Sequence, residues 1–218
     1  MAKINWSQVR TVILDLDGTL IDLYFDHYFW AYSVPQAYAT KFGLSAEQSR
    51  ALLKHHYDAI EHRLDWYSID FWAQKLDLPL RELLRAQGAM TKVRSDVYPF
   101  LQALRRMSKQ LILLTDSHPF SLQIKLNHCD LAAHFDLCLS SHNFHAPKVQ
   151  QRLWANLQAA HYFDPHKTLF IDDTEKVLDS ARRFGIAYTV GVENPDSSVA
   201  DKTFERHFSV KDYRTLLD

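Results

Sequence analysis

Strand-like apolar runs that alternate with helix-like segments are the feature of this sequence that most constrains its fold. The runs are Thr11–Leu14, Gln110–Thr115, Leu137–Ser140, Thr168–Ile171 and Ala187–Val190, and helical patterns cover Pro99–Met107, Phe120–Asn127, Val149–Ala160 and Glu175–Phe184. This alternation predicts a parallel sheet covered by helices on both faces. Right-handed crossovers then bring the strand carboxyl ends to one edge, where ligands bind in open α/β folds. We expect a Rossmann-like, doubly wound parallel sheet.

A segment after the first strand, residues 23–94, breaks this alternation. Its helical patterns cover Phe25–Phe42, Ser45–Arg63, Ser68–Leu76 and Leu80–Ala89. Pro35 should kink or divide the first of these helices, and Ser45 begins a capping box for the second. We therefore expect an all-helical cap domain at residues 23–94, inserted into an α/β core made of residues 1–22 and 95–218.

Composition excludes several classes of function. The 218 residues carry 25 basic and 26 acidic side chains, a formal charge of -1, and no Lys/Arg block, so we expect no nucleic-acid partner. The five glycines form neither a dinucleotide-binding nor a P-loop motif. Neither a signal-peptide core nor a membrane-spanning stretch is visible, so we expect a cytoplasmic protein without a membrane partner. Without a heptad seam, we expect a monomer.

Two aspartates stand where the first apolar run ends. Asp15 and Asp17 project from the same side of the strand end, and Gly18 allows the turn that follows. Carboxylates this close repel each other unless a cation or a proton lies between them, which indicates a hard metal ion such as Mg2+. A carboxylate beside bound Mg2+ is suited to attack on a phosphoryl group.

Other strand ends carry polar residues that could join this site. Thr115 ends the second run, and its hydroxyl with the backbone N–H groups of the next turn could cradle phosphate oxygens. Lys148 is expected in the first turn of the helix Val149–Ala160, where the macrodipole disfavours it unless it faces an anion. Asp172 and Asp173 end the fourth run and repeat the paired-carboxylate pattern.

The ordered set of D-x-D-G-T, Thr, Lys and D-D resembles the haloacid dehalogenase-like hydrolase superfamily over essentially the whole chain. The helical insertion stands at the position of a type-1 cap. Outside the motifs, the chain resembles bacterial GMP/IMP nucleotidases at Leu23–Trp30, Val97–Leu101, Pro147–Trp154 and Phe170–Ala181. The resemblance implies an Mg2+-dependent phosphatase that acts on small phosphomonoesters, most of all purine 5′-nucleotides.

The resemblance also implies catalytic and metal-binding roles. Asp15 would be the nucleophile that becomes an aspartyl phosphate, and Asp17 would protonate the leaving group and then activate water. Mg2+ would be bound by the Asp15 carboxylate, the Asp17 backbone carbonyl and Asp173, with Asp172 acting directly or through a water. The family pattern allows either Asp172 or Asp173 to be the closer ligand.

The resemblance implies that Thr115 and Lys148 bind the phosphate group, with help from Thr19 in the loop after Gly18. Asp116 departs from the family, in which Asn often follows the threonine. A second carboxylate facing phosphate would repel it, so we predict that Asp116 points away and caps the helix that begins near Pro119.

Substrate choice should lie in the insertion. Aromatic and histidine side chains near its first connection could stack a purine base, although they could equally pack the cap helices together: Tyr24, Phe25, His27, Tyr28 and Trp30. The expected partner is a small phosphorylated metabolite such as a nucleoside monophosphate. A sugar-phosphate phosphatase, a phosphomutase of the β-phosphoglucomutase kind and a phosphate-responsive binding module are the alternatives.

Overall fold

Parallel pairing joins the strands of the described residues into one six-stranded sheet. The computed structural model describes residues 4–61 and 63–217, so the outer bounds predicted for the core, residues 1 and 218, lie outside it. The strands are β1 (Thr11–Leu14), β2 (Gln110–Thr115), β3 (Leu137–Ser140), β4 (Thr168–Asp172), β5 (Tyr188–Val192) and β6 (Phe208–Val210). Their order is β3-β2-β1-β4-β5-β6, which places β1 and β4 side by side in the middle of the sheet.

Helices α1 (Tyr24–Tyr28), α2 (Val34–Phe42), α3 (Ala46–Asp58), α4 (Ile69–Leu76) and α5 (Leu80–Gln87) belong to the segment that follows β1. The two faces of the sheet are covered by α6 (Val97–Arg106), α7 (Pro119–Asn127), α8 (Gln151–Ala160) and α9 (Glu175–Phe184). Successive β1 side chains enter opposite layers: Val12 and Leu14 pack in the cluster with α6 and α7, and Ile13 in the cluster with α8 and α9. This confirms the predicted doubly wound α/β sheet.

The segment between β1 and α6 is helical throughout its regular structure and has a hydrophobic cluster of its own, which includes Phe29, Leu53 and Trp72. The two connections to the sheet run side by side, since Ile21 forms an antiparallel bridge with Val93. None of the helices in the described ranges combines the length and apolar character that a bilayer crossing requires.

Pro35 divides the first predicted helix, but the break lies just before it. A π-helical turn, Phe29–Ser33, separates α1 from α2, and the Val34 N–H donates to the Phe29 carbonyl. Pro35 then occupies the first turn of α2, where its missing N–H costs little.

Two of the predicted helix boundaries differ from the structure for an identifiable physical reason, and strand β6 was not predicted. Ser45 forms the predicted capping box, but α3 ends at Asp58 rather than Arg63, and the chain continues into a 3₁₀ turn, Leu64–Tyr67. Helix α8 begins at Gln151 rather than Val149, because Pro147 and Lys148 form a turn in which the Gln150 N–H donates to the Pro147 carbonyl. Strand β6 is too short to leave an alternating pattern in the sequence.

Candidate active site

Side chains from the carboxyl ends of the central strands line a cavity of about 330 Å³. The predicted site residues that line it are Asp15, Asp17, Thr115, Lys148, Asp172 and Asp173. Trp30, Trp66 and Tyr67 line it from the helical insertion. The cavity therefore lies between the sheet edge and the insertion, as the strand-end positions predict.

Three carboxylates form a tight group in this cavity, which we call the acidic trio: Asp15, Asp172 and Asp173. One oxygen of each lies within 4.8 Å of the others. The register explains this proximity, since Leu14 pairs with Ile171 and both strands therefore end at the same level. The parallel sheet thus brings together carboxylates that are more than 150 positions apart in the sequence.

Lys148 bridges two members of the trio. Its Nζ donates to Asp15 Oδ1 at 2.5 Å and to Asp172 Oδ2 at 2.7 Å, and its side chain is 5% exposed. Burial disfavours the ammonium charge, but Asp15 and Asp172 outweigh that effect and raise the pKa of Lys148 well above its usual value. Lys148 therefore stays charged in the cavity. It precedes α8 and does not lie in the first turn of that helix, contrary to the prediction.

Asp116 holds this lysine in place. Its carboxylate accepts hydrogen bonds from the Lys148 backbone N–H at 3.0 and 3.3 Å. The predicted role as a helix cap is wrong, because the His118 ring caps α7 by accepting from the Phe120 N–H. Lys148 lies in a turn outside the helices and strands, so its buried backbone N–H needs another acceptor. The Asp116 carboxylate is that acceptor.

The electrostatics of the acidic trio show a shortage of positive charge. Burial, together with Asp172, Asp173 and Asp17, raises the pKa of Asp15 well above its ordinary value although Lys148 opposes the shift. Burial and Asp173 likewise raise the pKa of Asp172 to about 6. A further cation would reduce the repulsion within the trio and lower the pKa of Asp15 and of Asp172.

Asp17 lies beside the trio in a different environment. Its Oδ2 accepts from Ser117 Oγ at 2.6 Å and from Thr115 Oγ1 at 3.3 Å, and its Oδ1 accepts from Lys125 Nζ at 2.5 Å. Burial would raise the pKa of Asp17, but the charge and hydrogen bond of Lys125, with the hydrogen bond from Ser117, lower it below its ordinary value. Two neighbouring aspartates therefore have pKa shifts of opposite sign.

The sequence model of one family, haloacid dehalogenase-like hydrolase, matches residues 9–185. The chain belongs to this family of enzymes. The match includes all of the residues that line the cavity, which confirms the resemblance found in the motifs.

Curated relatives extend the similarity to nearly the whole chain. The GMP/IMP nucleotidase YrfG of Escherichia coli (strain K12) is 45% identical over 215 residues, which cover 99% of this chain and 97% of that protein. The protein of the same name from Shigella flexneri has the same identity and coverage.

Solved structures share the fold at low sequence identity. A HAD phosphatase from Thermococcus onnurineus superposes with a TM-score of 0.79 at 20% identity and covers 95% of this chain and 96% of its own. An L-2-haloacid dehalogenase from Xanthobacter autotrophicus gives 0.60 at 15% identity, with 95% and 96% covered. The haloacid dehalogenase-like fold thus includes both the sheet and the helical insertion.

The residues of this family member fit a hard divalent cation. The acidic trio offers only oxygen donors, and the raised pKa values of Asp15 and Asp172 mark a site that needs more positive charge. Lys202 partly supplies it in this structure, since its Nζ donates to Asp173 Oδ2 at 2.9 Å. Lys202 is 38% exposed and hence able to move away from the carboxylate.

Thr19 is the predicted phosphate ligand that the structure does not bring to the cavity. Its side chain is fully buried, and its Oγ1 has no hydrogen-bond partner among the described residues. Its carbonyl accepts from the Tyr213 hydroxyl at 2.7 Å, which anchors the loop to the core. Thr19 is therefore buried under the loop that follows Gly18 and supports that loop, but it does not line the cavity.

The five candidate specificity residues fall in different places. Trp30 lines the cavity, whereas Phe25 is 1% exposed and packs in the helical cluster. Tyr24 and Tyr28 contact each other, and Tyr28 lines a separate surface pocket. The His27 Nδ1 lies 3.0 Å from Asp196 Oδ2, at the rim of a neighbouring recess.

Lys125 is the site residue that sequence reasoning missed. Its side chain is fully buried, and its Nζ contacts Asp17 and both oxygens of Asp26, at 2.8 Å each. The helical spacing of α7 gave a signal, since Lys125 lies one turn after Ser121 and Leu122 on the buried face of the helix.

Proposed function

We propose that this protein is an Mg2+-dependent phosphatase that hydrolyses purine nucleoside 5′-monophosphates through an aspartyl phosphate at Asp15. The observation that carries the proposal is the buried Asp15 carboxylate, grouped with Asp172 and Asp173 and contacted by Lys148. This arrangement offers a nucleophile, oxygen ligands for a cation and a fixed positive charge in one cavity. Family membership and the nucleotidase relatives support the reaction class.

The reaction follows from the positions of these groups. The bound phosphate anion disfavours ionisation of Asp17 and so opposes the lowering of its pKa by Lys125. An Asp15 oxygen attacks phosphorus while the protonated Asp17 gives its proton to the ester oxygen, so the P–O ester bond breaks and the nucleoside leaves. Asp17 then takes a proton from the water that attacks the aspartyl phosphate, and inorganic phosphate is released. Lys148 offsets the charge that develops on the phosphoryl oxygens, with Thr115 as a neutral donor. Mg2+, when bound, would reduce the repulsion between Asp15 and the phosphate.

The surroundings of the two candidate ligands favour Asp173 as the direct one. Asp172 is 1% exposed, and its oxygens are committed to Lys148 and to the Thr174 N–H at 2.8 Å. Asp173 is more exposed, and its partner Lys202 is 38% exposed. We propose that Asp15, Asp173 and the Asp17 carbonyl bind the cation, and that Asp172 acts on it through a water.

An aromatic recess next to the cavity supports a nucleotide substrate. The recess has a volume of about 340 Å³ and is lined by Leu23, Asp26, His27, Trp30, Tyr57, Trp66, Trp72 and Asp196. The recess shares Trp30 and Trp66 with the cavity that contains the acidic trio, so one ligand could occupy both. The indole rings of Trp30 and Trp66 can stack a purine base.

Residues 23–94 are proposed to act as a cap over this site. The helical cluster that includes Phe29 and Trp72 gives the segment a core of its own, and the paired connections at Ile21 and Val93 form a narrow neck. A cap on such a neck can open to admit substrate and close to exclude water.

A panel of phosphomonoesters tests the proposal: GMP, IMP, AMP, pyrimidine nucleotides and sugar phosphates, each with Mg2+ or with EDTA. We expect the highest kcat/KM for GMP and IMP, no turnover in EDTA and none for Asp15→Asn, with exposed Asp58→Asn as the matched control. Preference for sugar phosphates would overturn the substrate, and isomerised product in excess of free phosphate would favour the mutase. Full activity of Asp15→Asn would overturn the mechanism.

A further inference from the structure

A fully buried ammonium group joins the proposed acid–base residue to the helical insertion. Lys125, in α7, donates to Asp17 Oδ1 at 2.5 Å and to both oxygens of Asp26, in α1, at 2.8 Å. Ser117 Oγ lies 3.3 Å from the same Nζ and also donates to Asp17. These contacts form one connected network of a lysine, two carboxylates and a hydroxyl.

Burying a lysine is costly unless its charge is compensated and its donors are used. Lys125 is 0% exposed, and its ring neighbour Phe25 lies with its centroid 5.6 Å from Nζ. Lys125 does not neutralise the acidic trio, since Lys148 forms the ion pairs with Asp15 and Asp172 of that group. The position of Lys125 is therefore explained by what it does to Asp17 and Asp26.

The orientation of Asp17 matters because a general acid must reach the leaving oxygen within hydrogen-bond distance. Lys125 and Ser117 hold the two carboxylate oxygens from different directions, which fixes the plane of the carboxylate. Asp17 Oδ2 accepts from both Ser117 and Thr115, whereas Oδ1 accepts from Lys125 and keeps a second lone-pair site for a proton. Asp26, in α1, accepts hydrogen bonds from the same ammonium group, so the position of α1 affects the position of the Lys125 side chain.

We infer that Lys125 is a positioning residue that orients Asp17 for proton transfer, and that its bond to Asp26 makes this orientation depend on the placement of the first helix of the insertion. The inference rests on the proposed function, because Asp17 must act as the proton donor. It assigns Lys125 no contact with the substrate, since Lys125 does not line the cavity.

Leaving-group dependence separates this role from a merely structural one. A good leaving group such as a nitrophenolate departs without a proton, whereas an alkoxide needs one. For Lys125→Met we expect kcat/KM to fall less than 10-fold with dinitrophenyl phosphate and roughly 10²-fold or more with alkyl phosphates and nucleotides, within the range of general-acid effects. Asp26→Asn should give the same selective loss with smaller amplitude.

Lys109 provides a matched control. It is a buried lysine that donates to the Trp6 and Val9 carbonyls, remote from the cavity lining. Lys109→Met should lower thermal stability but leave the leaving-group dependence as in the wild type. If Lys125→Met does not fold, the double variant Lys125→Met/Asp26→Asn removes one charge of each sign and is measured instead.

The outcomes distinguish this inference from the proposed function. A loss of equal size for all leaving groups, or no loss, in a wild-type background whose turnover requires Asp15 would overturn the role of Lys125 alone. Absence of phosphatase activity in the wild type would overturn both. In an Asp17→Asn background, adding Lys125→Met should produce no further leaving-group selectivity, and additive losses would also contradict the inference.

Discussion

At the scale of single residues, the buried carboxylate of Asp15 opposes the stability of the metal-free protein. A carboxyl group whose pKa is raised by folding stabilises the fold only while it is protonated. Its unfavourable contribution grows as pH rises from the ordinary value of 3.8 toward the raised folded value. The same sign holds for Asp172, whose folded pKa is about 6. The nucleophile and its neighbour therefore reduce stability at neutral pH unless a cation is bound.

Asp15→Asn should consequently raise the melting temperature in EDTA, by several degrees at about 2–4 °C per kcal/mol for a chain of this size. The gain should be larger at pH 8 than at pH 5, because the unfavourable contribution of the wild-type carboxyl grows with pH above its unfolded pKa. Added Mg2+ should stabilise the wild type and have little effect on the variant. Differential scanning fluorimetry measures both effects, and a variant that melts below the wild type in EDTA at pH 8 would contradict this account.

Asp116 offers a second residue-scale test, because it acts through a backbone N–H. Asp116→Asn keeps an acceptor for the Lys148 N–H and should retain kcat/KM within a few-fold. Asp116→Ala leaves a buried N–H unsatisfied, at a cost of about 1–3 kcal/mol, and should lower kcat/KM by roughly 10-fold or more. Equal activities of the two variants in a steady-state assay would show that the hydrogen bond does not position Lys148.

At the scale of elements, sequence predicted the strands more accurately than the ends of the helices. β1, β2 and β3 match the predicted ranges because buried strands in a parallel sheet are continuous apolar runs with polar residues where they end. The start of α8 depends on a turn at Lys148 that is held by Asp116, a contact across 32 positions. Such tertiary contacts leave no local pattern. The helical spacing of Lys125 indicates that it is buried, but not that it bonds to Asp17.

The turn after β1 shows how an element constrains the site. Gly18 has a φ of +77°, and a Cβ there would lie 3.0 Å from the Asp173 carboxylate. Gly18→Ala should therefore weaken Mg2+ binding, as well as destabilise the fold by about 1 kcal/mol or more through backbone strain. Titration calorimetry with Mg2+ measures the first effect and thermal melting the second.

Gly43→Ala is the matched control for this substitution. Gly43 has a φ of +66°, but a Cβ there would meet nothing within 4 Å. It should show a similar loss of stability and unchanged Mg2+ affinity. If both variants bind Mg2+ as the wild type does, the close approach of Gly18 to Asp173 has no role in the metal site.

At the scale of the whole molecule, the sheet and the helical insertion meet through α7. The Phe120 ring lies under two guanidinium groups of α5, with Arg81 Cζ at 4.5 Å and Arg85 Cζ at 5.2 Å from its centroid. Lys125 makes the second contact from the same helix. The parallel sheet and the helical insertion were predictable from the sequence, but the face on which the two meet was not, because it depends on side chains of several elements.

Phe120→Ala should weaken this contact and favour a cap that stands away from the site. If the substrate-binding state is less populated, the apparent affinity falls in proportion, so we expect KM for GMP to rise several-fold with a smaller change in kcat. Tyr162→Ala removes an aromatic ring that is 81% exposed and serves as the control. An unchanged KM in Phe120→Ala would show that the contact does not bear on substrate binding.

The central claim is that Asp15 accepts the phosphoryl group. Acid quenching during turnover of ³²P-labelled GMP, followed by peptide mapping, tests this most directly, because an acyl phosphate survives acid and is cleaved by hydroxylamine. We predict label on the peptide that contains Asp15 and none in Asp15→Asn. Rapid turnover with no label on that peptide, or with label on another residue, would contradict the account.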